Sequence, residues 1–338
     1  MKKLFYFAAM LLFSLTACEK NFTESDDNAN APVGEGILKV SLAYETFPQA
    51  KAVTDYTEVL EAEKAEKKVV VYVFDKTSGQ LNVSKTLTKS SDAFSATVPA
   101  GEKTVYAVIN GPDLSSVTTL SQMAAVTDNL ANTTLAANGL TMVGSADCTV
   151  NGDTPATATI TVRRLVARIV IEKITNNLPS QYGKMTIDAI YLGNAYTAQT
   201  FSGATSILAN PSGYADANMT QPIGKNNEKG SCSEYLYRGL SSNVIVGGSN
   251  TTKQYLYCQP NATSTHTCVY VLTTIGTQKY YYRIALNGGL QANYTYSIEA
   301  TISNLGTAHP DDDFNLGQIE AAIIVAGWSA GDDYVAEF

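Results

Sequence analysis

Val69-Val70-Val71-Tyr72-Val73-Phe74-Asp75 is an unbroken apolar run of β-branched and aromatic residues, closed by the turn-forming Lys76-Thr77-Ser78-Gly79. So short a run with such a turn behind it predicts a strand, and the lack of alternation predicts a central one. On the N-terminal side, Leu38, Val40, Leu42 and Tyr44 alternate with Lys39, Ser41 and Ala43, the period of a strand with one buried face. On the C-terminal side, Thr104–Ile109 repeats the apolar pattern and stops at Asn110-Gly111-Pro112. Ala158–Val162 leads into Arg163-Arg164-Leu165-Val166-Ala167-Arg168-Ile169-Val170-Ile171, read as one long strand whose arginines keep their heads in solvent. Further strands are expected at 185–192, 254–259, 268–274, 279–285, 294–303 and 318–328. Helical periodicity is weak. Val117–Leu130 is a candidate short helix, and Glu58–Lys68 reads equally as a helix or a charged loop. Many short strands with turn signals between them predict an all-β chain of β-sandwiches. A boundary near residue 160 divides an N-terminal sandwich over 52–160 from a C-terminal one over 161–338.

Apolar residues make up 45% of the chain and charged residues 16%, a balance that excludes a disordered protein. The net charge of −8 argues against a phosphate-binding surface, so no nucleic-acid partner is expected. Lys2 and Lys3 precede the apolar run Leu4–Leu15, and Leu15-Thr16-Ala17-Cys18 follows it. The run is too short for a spanning helix and reads as a signal peptide over 1–17. Leu-x-Ala-Cys resembles the bacterial lipobox, which makes Cys18 the lipidated new N-terminus, held in the outer membrane by its acyl chains, palmitate among them. The alternative is an ordinary secretory signal that happens to hold a Cys. Residues 19–36, rich in Asn, Asp, Ser and Glu, form a polar tether.

Motifs that carry chemistry are missing. His266 and His309 stand in no nucleophile motif, and no carboxylate spacing marks a glycosidase pair. Asp311-Asp312-Asp313 lacks the EF-hand spacing and closing Glu, and reads as a solvated acidic loop. Gly247-Gly248 and Gly288-Gly289 read as hairpin turns, since no helix follows them. No metal, no cofactor and no catalytic residue is expected. Cys148, Cys232, Cys258 and Cys268 read as buried free thiols in preference to disulfides, with their pairing left open.

The Cys18 lipobox, Ile37–Tyr44, Val69–Asp75, Arg164-Leu165-Val166-Ala167-Arg168-Ile169 and Tyr255–Asn261 follow one another along the chain. Tyr280-Tyr281-Tyr282-Arg283-Ile284, Asn293-Tyr294-Thr295-Tyr296 and a last strand ending in Gly327-Trp328 complete the order. In that order they resemble the fimbrillin family, the type V pilins of Bacteroidales. The resemblance implies two β-sandwich (transthyretin-like) domains in tandem, and a first strand that occupies a groove until a trypsin-like protease cuts behind it. It further implies that the C-terminal strand of a neighbouring subunit fills the vacated groove, so that copies of the chain and related pilin subunits join head to tail in an adhesive fibre.

Mapped on this sequence, the removable strand carries Leu38, Val40, Leu42 and Tyr44, within a lipidated propeptide over 18–51. The donor strand lies in 318–338, with Ile319, Ala321, Ile323 and Val325 on one face and Trp328 near its end. Both faces of Ile319–Trp328 are apolar apart from Glu320, which suits a strand buried on two sides. The alternative is an ordinary core strand of the last sandwich. The family's cutting site is an Arg, whereas here no Arg precedes Arg163, and the nearest basic residue behind the first strand is Lys51, followed by Ala52. Pro48 keeps that loop out of helix and ladder pairing; Lys64, Lys67 and Lys68 are later options. The expected function is therefore that of a non-catalytic shaft subunit of a cell-surface fimbria. The alternatives are the fimbrial anchor or a carbohydrate-binding surface lipoprotein whose tyrosines stack on sugars.

Overall fold

The computed structural model describes residues 34–47, 60–130, 135–202, 235–262, 267–309 and 319–328. The signal segment, Cys18, Pro48, Lys51, Ala52, Cys232, His266, Asp311–Asp313 and the last ten residues lie outside them. The first half carries β1 (Glu35–Tyr44), β2 (Val69–Asp75), β3 (Leu81–Leu87), β4 (Phe94–Pro99), β5 (Gly101–Ile109), β6 (Thr127–Asn129), β7 (Met142–Val150) and β8 (Ala156–Arg164). The second half carries β9 (Ala167–Asn176), β10 (Lys184–Gly193), β11 (Ala198–Thr200), β12 (Tyr237–Ile245), β13 (Ser249–Asn250), β14 (Gln254–Cys258), β15 (Cys268–Ile275), β16 (Gln278–Ala285), β17 (Tyr294–Ile302) and β18 (Ile319–Gly327). The α-helix among the described residues is confined to α1 (Glu61–Lys64), α2 (Leu120–Ala125) and α3 (Leu135–Asn138).

The apolar run at 69–74 is β2, paired with β3 on one side and β5 on the other. Its lack of alternation has a plain cause: both faces are covered. Val69, Val71 and Val73 enter one core with the inward faces of β1, β4, β5 and β8. Val70, Tyr72 and Phe74 enter another, closed by Leu114, Val117, Met123 and Phe201. The sheet order is β3-β2-β5-β7-β8-β1-β4, but β8 is laddered to β7 only at Met142–Arg164 and Val143–Arg163. The sheet thus folds over itself, and β8-β1-β4 faces β3-β2-β5-β7 across a shared core in the manner of a sandwich. In the second half, the sheet β12-β10-β15-β16 and the sheet β13-β9-β17-β18, with β14 also on β9, share a core built on Ile169, Ile171, Tyr191, Val271, Tyr282 and Ile298.

Four expectations are corrected. The long strand over 158–171 is two strands in different sheets. The chain bends at Leu165-Val166, because Leu165 turns into the Phe74 cluster while Val166 turns into the C-terminal core. Of the three arginines in this run Arg163 is exposed as expected, but Arg164 is 2% exposed and Arg168 1%, for reasons given below. The helix expected over 117–130 shortens to α2, capped by Thr119 Oγ1, which accepts from Gln122 N at 3.2 Å; residues 127–129 instead pair with β11. The Gly247-Gly248 and Gly288-Gly289 turns link strands of different sheets and close no hairpin. Cys148 is half-buried and Cys258 and Cys268 are buried, all three as free thiols. The last two lie on β14 and β15, which do not pair with each other.

Buried Asp128 on β6 ties the two halves together. Thr141 Oγ1 donates to its Oδ1 at 2.7 Å and Gln259 Nε2 donates to its Oδ2 at 2.7 Å. Burial holds its carboxyl above the ordinary carboxylate range, although both hydrogen bonds pull the other way. A raised folded-state pKa means that this residue's contribution is complete below the unfolded value, about 3.9, and is lost as pH rises through the folded value. Asp128→Asn should remove that loss, helped by Gln259 Oε1, a buried atom without a partner that can accept from the new amide. In thermal melts, the stability of the variant relative to the wild type should rise with pH across the acid range and then level off.

Candidate functional site

The first strand is wedged between two neighbours. Glu35–Val40 pairs antiparallel with Pro99–Phe94 of β4, and Leu38–Tyr44 pairs parallel with Ala156–Val162 of β8. Its inward face presents Gly36, Leu38, Val40 and Leu42 to the core, all buried. The Gly36 position has no room for a side chain, since a Cβ there would lie 2.3 Å from the Asn151 carbonyl oxygen. Tyr44 ends the strand and donates from its hydroxyl to Glu66 Oε1, which also accepts from Ser90 Oγ at 2.5 Å. The four residues expected to leave a groove therefore lie in one strand, filling the space between β4 and β8.

The last strand is placed in the opposite manner. Among the described residues β18 forms an edge, pairing only with β17, from Tyr294–Gly327 to Ile302–Ile319. Residues 320–325 are all exposed; Val325 is 52% exposed and Ile323 and Ile324 are 36% each. Two-sided apolar character would suit a strand covered on both faces, and among the described residues neither face is covered over 320–325.

Trp328, immediately after β18, is by contrast fully buried. The Arg164 and Arg168 guanidiniums lie 4.3 and 4.5 Å from its ring centre, and the Tyr257 ring stacks at 6.0 Å. Desolvating two cations needs a counter-charge, and α1 supplies it. Glu63, wholly buried, accepts from Arg168 Nη1 at 2.9 Å, from the Tyr257 hydroxyl at 2.5 Å and from Leu60 N at 2.8 Å. Arg168 Nε also donates to Thr295 Oγ1 at 3.0 Å. Burial lowers the Arg164 guanidinium to about 10, with Arg168 pushing the same way and Glu63 opposing. Burial and the adjoining Glu63 carboxylate push the Tyr257 phenol far above its ordinary value.

Asn293, at φ 62°, completes the junction: its N–H donates to Val166 O at 2.9 Å and its carbonyl accepts from Trp328 N at 2.8 Å. Its Nδ2 donates to Glu45 Oε2 at 2.8 Å. The sequence pointed to Trp328 alone in this group. Arg164 and Arg168 inside an apolar run were the available signal, since a basic residue in a covered strand requires a partner. No spacing identified Glu63 as that partner.

His309 lies outside this cluster, its carbonyl accepting from Thr307 Oγ1 at 2.8 Å. Among the described residues no group of His, Cys, Asp and Glu is arranged to hold a metal ion, and no helix is long and apolar enough to cross a membrane.

Residues 38–180 match the family model of the major fimbrial subunit protein (FimA). No curated protein matches the chain. Among solved structures, a candidate cell adhesion protein of Bacteroides eggerthii superposes with a TM-score of 0.63 at 20% identity, over 89% of this chain and 98% of that one. A fimbrilin (FimA) of Porphyromonas gingivalis gives 0.61 at 16% identity, over 87% and 97%. A candidate cell adhesion protein of Parabacteroides distasonis gives 0.59 at 17%, over 87% and 99%. At these identities the superpositions speak to fold alone. In sequence over residues 38–180, and in fold over most of its length, the chain is similar to the fimbrillins, and the resemblance first carried by scattered motifs holds.

Proposed function

We propose that this chain is a structural, non-catalytic subunit of a surface fimbria, exported as a lipoprotein through Cys18 and polymerised by strand exchange. The observation that carries the reading is the contrast between the two terminal strands. β1 fills a slot between β4 and β8, while β18 leaves Ile323, Ile324 and Val325 in solvent at an open sheet edge. Loss of β1 would expose apolar core and the unpaired backbone of β4 and β8, a template for another chain's strand. A second copy carries a segment of matching pattern. Gly36, Leu38, Val40 and Leu42 recur in spacing as Gly317, Ile319, Ala321 and Ile323, with Val325 and Gly327 continuing the same face. Such a contact joins different surfaces of two copies, does not close on itself, and so propagates.

The cutting site follows from what must stay behind. Cleavage at Lys64, Lys67 or Lys68 would remove Glu63 and leave Arg164 and Arg168 buried without their carboxylate. Asn110 also holds this segment, accepting from Lys67 N at 2.7 Å and donating to Ala65 O at 2.7 Å. A cut between Lys51 and Ala52 spares all of these contacts and removes β1. Residues 52–160 and 161–338 then remain as the two sandwiches of a shaft subunit, while an uncut chain that keeps lipidated Cys18 would serve as the anchor at the outer membrane. The carbohydrate-binding reading loses its main support, because Tyr191, Tyr235, Tyr257, Tyr270 and Tyr282 are buried in the core.

N-terminal sequencing of sheared surface fibres tests the assembly. A start at Ala52 is the expected result; recovery of Cys18 as the only N-terminus, with no fibre formed, would overturn it. The dependence on Glu63 is checked separately by denaturant melts. Glu63→Gln should lose about 3–5 kcal/mol of stability, the range for breaking a buried ion pair by removing one partner. Lys64→Gln, which breaks the exposed pair with Glu61, should leave the midpoint close to that of the wild type.

A further inference from the structure

β18 is held by its ladder to β17, by Trp328 at its end, and by a third contact that comes from the other end of the chain. Beyond β1, Glu45 N donates to Val162 O at 2.9 Å, extending the parallel ladder on β8, while its carboxylate accepts from Asn293 Nδ2. Phe47 then crosses the last pair of the β17–β18 ladder. Its ring meets Tyr294 edge-on at 4.9 Å and lies so close to Gly327 that a Cβ there would come within 2.0 Å of it. Gly327 is therefore a seat for Phe47. Meanwhile the Trp328 seat is imperfect, as Trp328 Nε1 and Arg164 Nε are buried donors without an acceptor.

We propose that Glu45–Phe47 is a latch on the C-terminal strand. Resting on the strand-exchange reading, this makes removal of β1 a single event with two effects: the groove between β4 and β8 opens, and the end of the donor strand is freed. A subunit that still keeps its first strand would then neither accept nor readily donate, which prevents assembly before processing. Glu45 and Phe47 lie upstream of every candidate lysine, so any of the proposed cuts takes the latch away with β1.

Hydrogen exchange of the full, unprocessed chain read by mass spectrometry tests this. Phe47→Ala should let the amides of β18 exchange about tenfold faster, the scale of one lost aromatic contact at a locally opening strand, while β4 and β8 keep their protection. Gly327→Ala, which denies Phe47 its seat from the opposite side, should do the same. Unchanged β18 exchange in both variants overturns the latch. So does a loss spread evenly over all strands, since the contact would then support the whole fold. Processed, dilute wild-type protein separates this inference from the assembly itself. Fibres formed with β18 exchange no faster after cutting leave strand exchange standing and the latch refuted. Faster β18 exchange with no fibre does the reverse.

Discussion

The buried Glu63 carboxylate is the constraint on which the junction of this fold depends. Two guanidiniums sit beside one tryptophan with almost no access to water, and the ion pair to Arg168 at 2.9 Å is the direct neutralisation they receive among the described contacts. Desolvating such charges costs several kcal/mol each, on the order of what a buried partner returns. The cluster therefore contributes little net stability and a great deal of geometry. It fixes α1, the β8–β9 bend, β14 through Tyr257, and Trp328 at the end of β18 relative to one another. Remove the carboxylate and the two arginines must find water, which they can do only by opening the place where the halves of the chain meet.

The same junction is built almost without the first strand. β1 contributes Leu38, Val40 and Leu42 to the N-terminal core but none of the charged groups around Trp328. Its connections to that cluster are the electrostatic influence of Tyr44 on Arg164 and, just beyond the strand, the hydrogen bond between Glu45 and Asn293. The C-terminal half keeps its own core of Ile169, Tyr191, Val271 and Ile298 without any residue of β1. Burial of three aliphatic side chains, each about 1.5–3 kcal/mol, is a large part of a marginal folding free energy. A chain that loses them gains correspondingly from a replacement strand.

Most strands were legible in the sequence because their burial is one-sided or complete, as in β1 and β2, and either pattern leaves a clear period. β3, β4, β7 and β12 were not named, since half-exposed strands rich in Ser, Thr, Asn and Lys look like loops. The bend at Leu165-Val166 was invisible because both of its residues are apolar and buried; only the cluster each enters differs. Of the candidate site, the two terminal strands could be placed from alternation and from the family resemblance. The exposure of β18 could not, because apolar character on both faces says nothing about which neighbours are absent. Glu63 and Phe47 escaped for a different reason. Each acts on a residue more than a hundred positions away, and neither sits in a local pattern.

The sheet edges themselves supply the remaining argument. β3 shows Ser84, Lys85 and Thr86 to solvent, and β4 shows Ser95, Thr97 and Pro99. β16 shows Gln278, Lys279 and Arg283, and β12 shows Gly239, Ser241 and Asn243, with a single apolar residue, Ile245, exposed at its end. Charges, Pro and small polar residues of this kind keep an edge from pairing with another chain. β18 exposes Ala321, Ala322, Ile323, Ile324 and Val325, with Glu320 as the one charge in the strand. A protein that lacked means of protecting edges would show apolar residues on all of them. Here the protection is present at four edge strands and withheld at β18, the strand whose face spacing matches that of β1. A continuous run of exposed apolar residues, which among the described strands β18 carries, is what a subunit needs if its edge is to be buried in another copy.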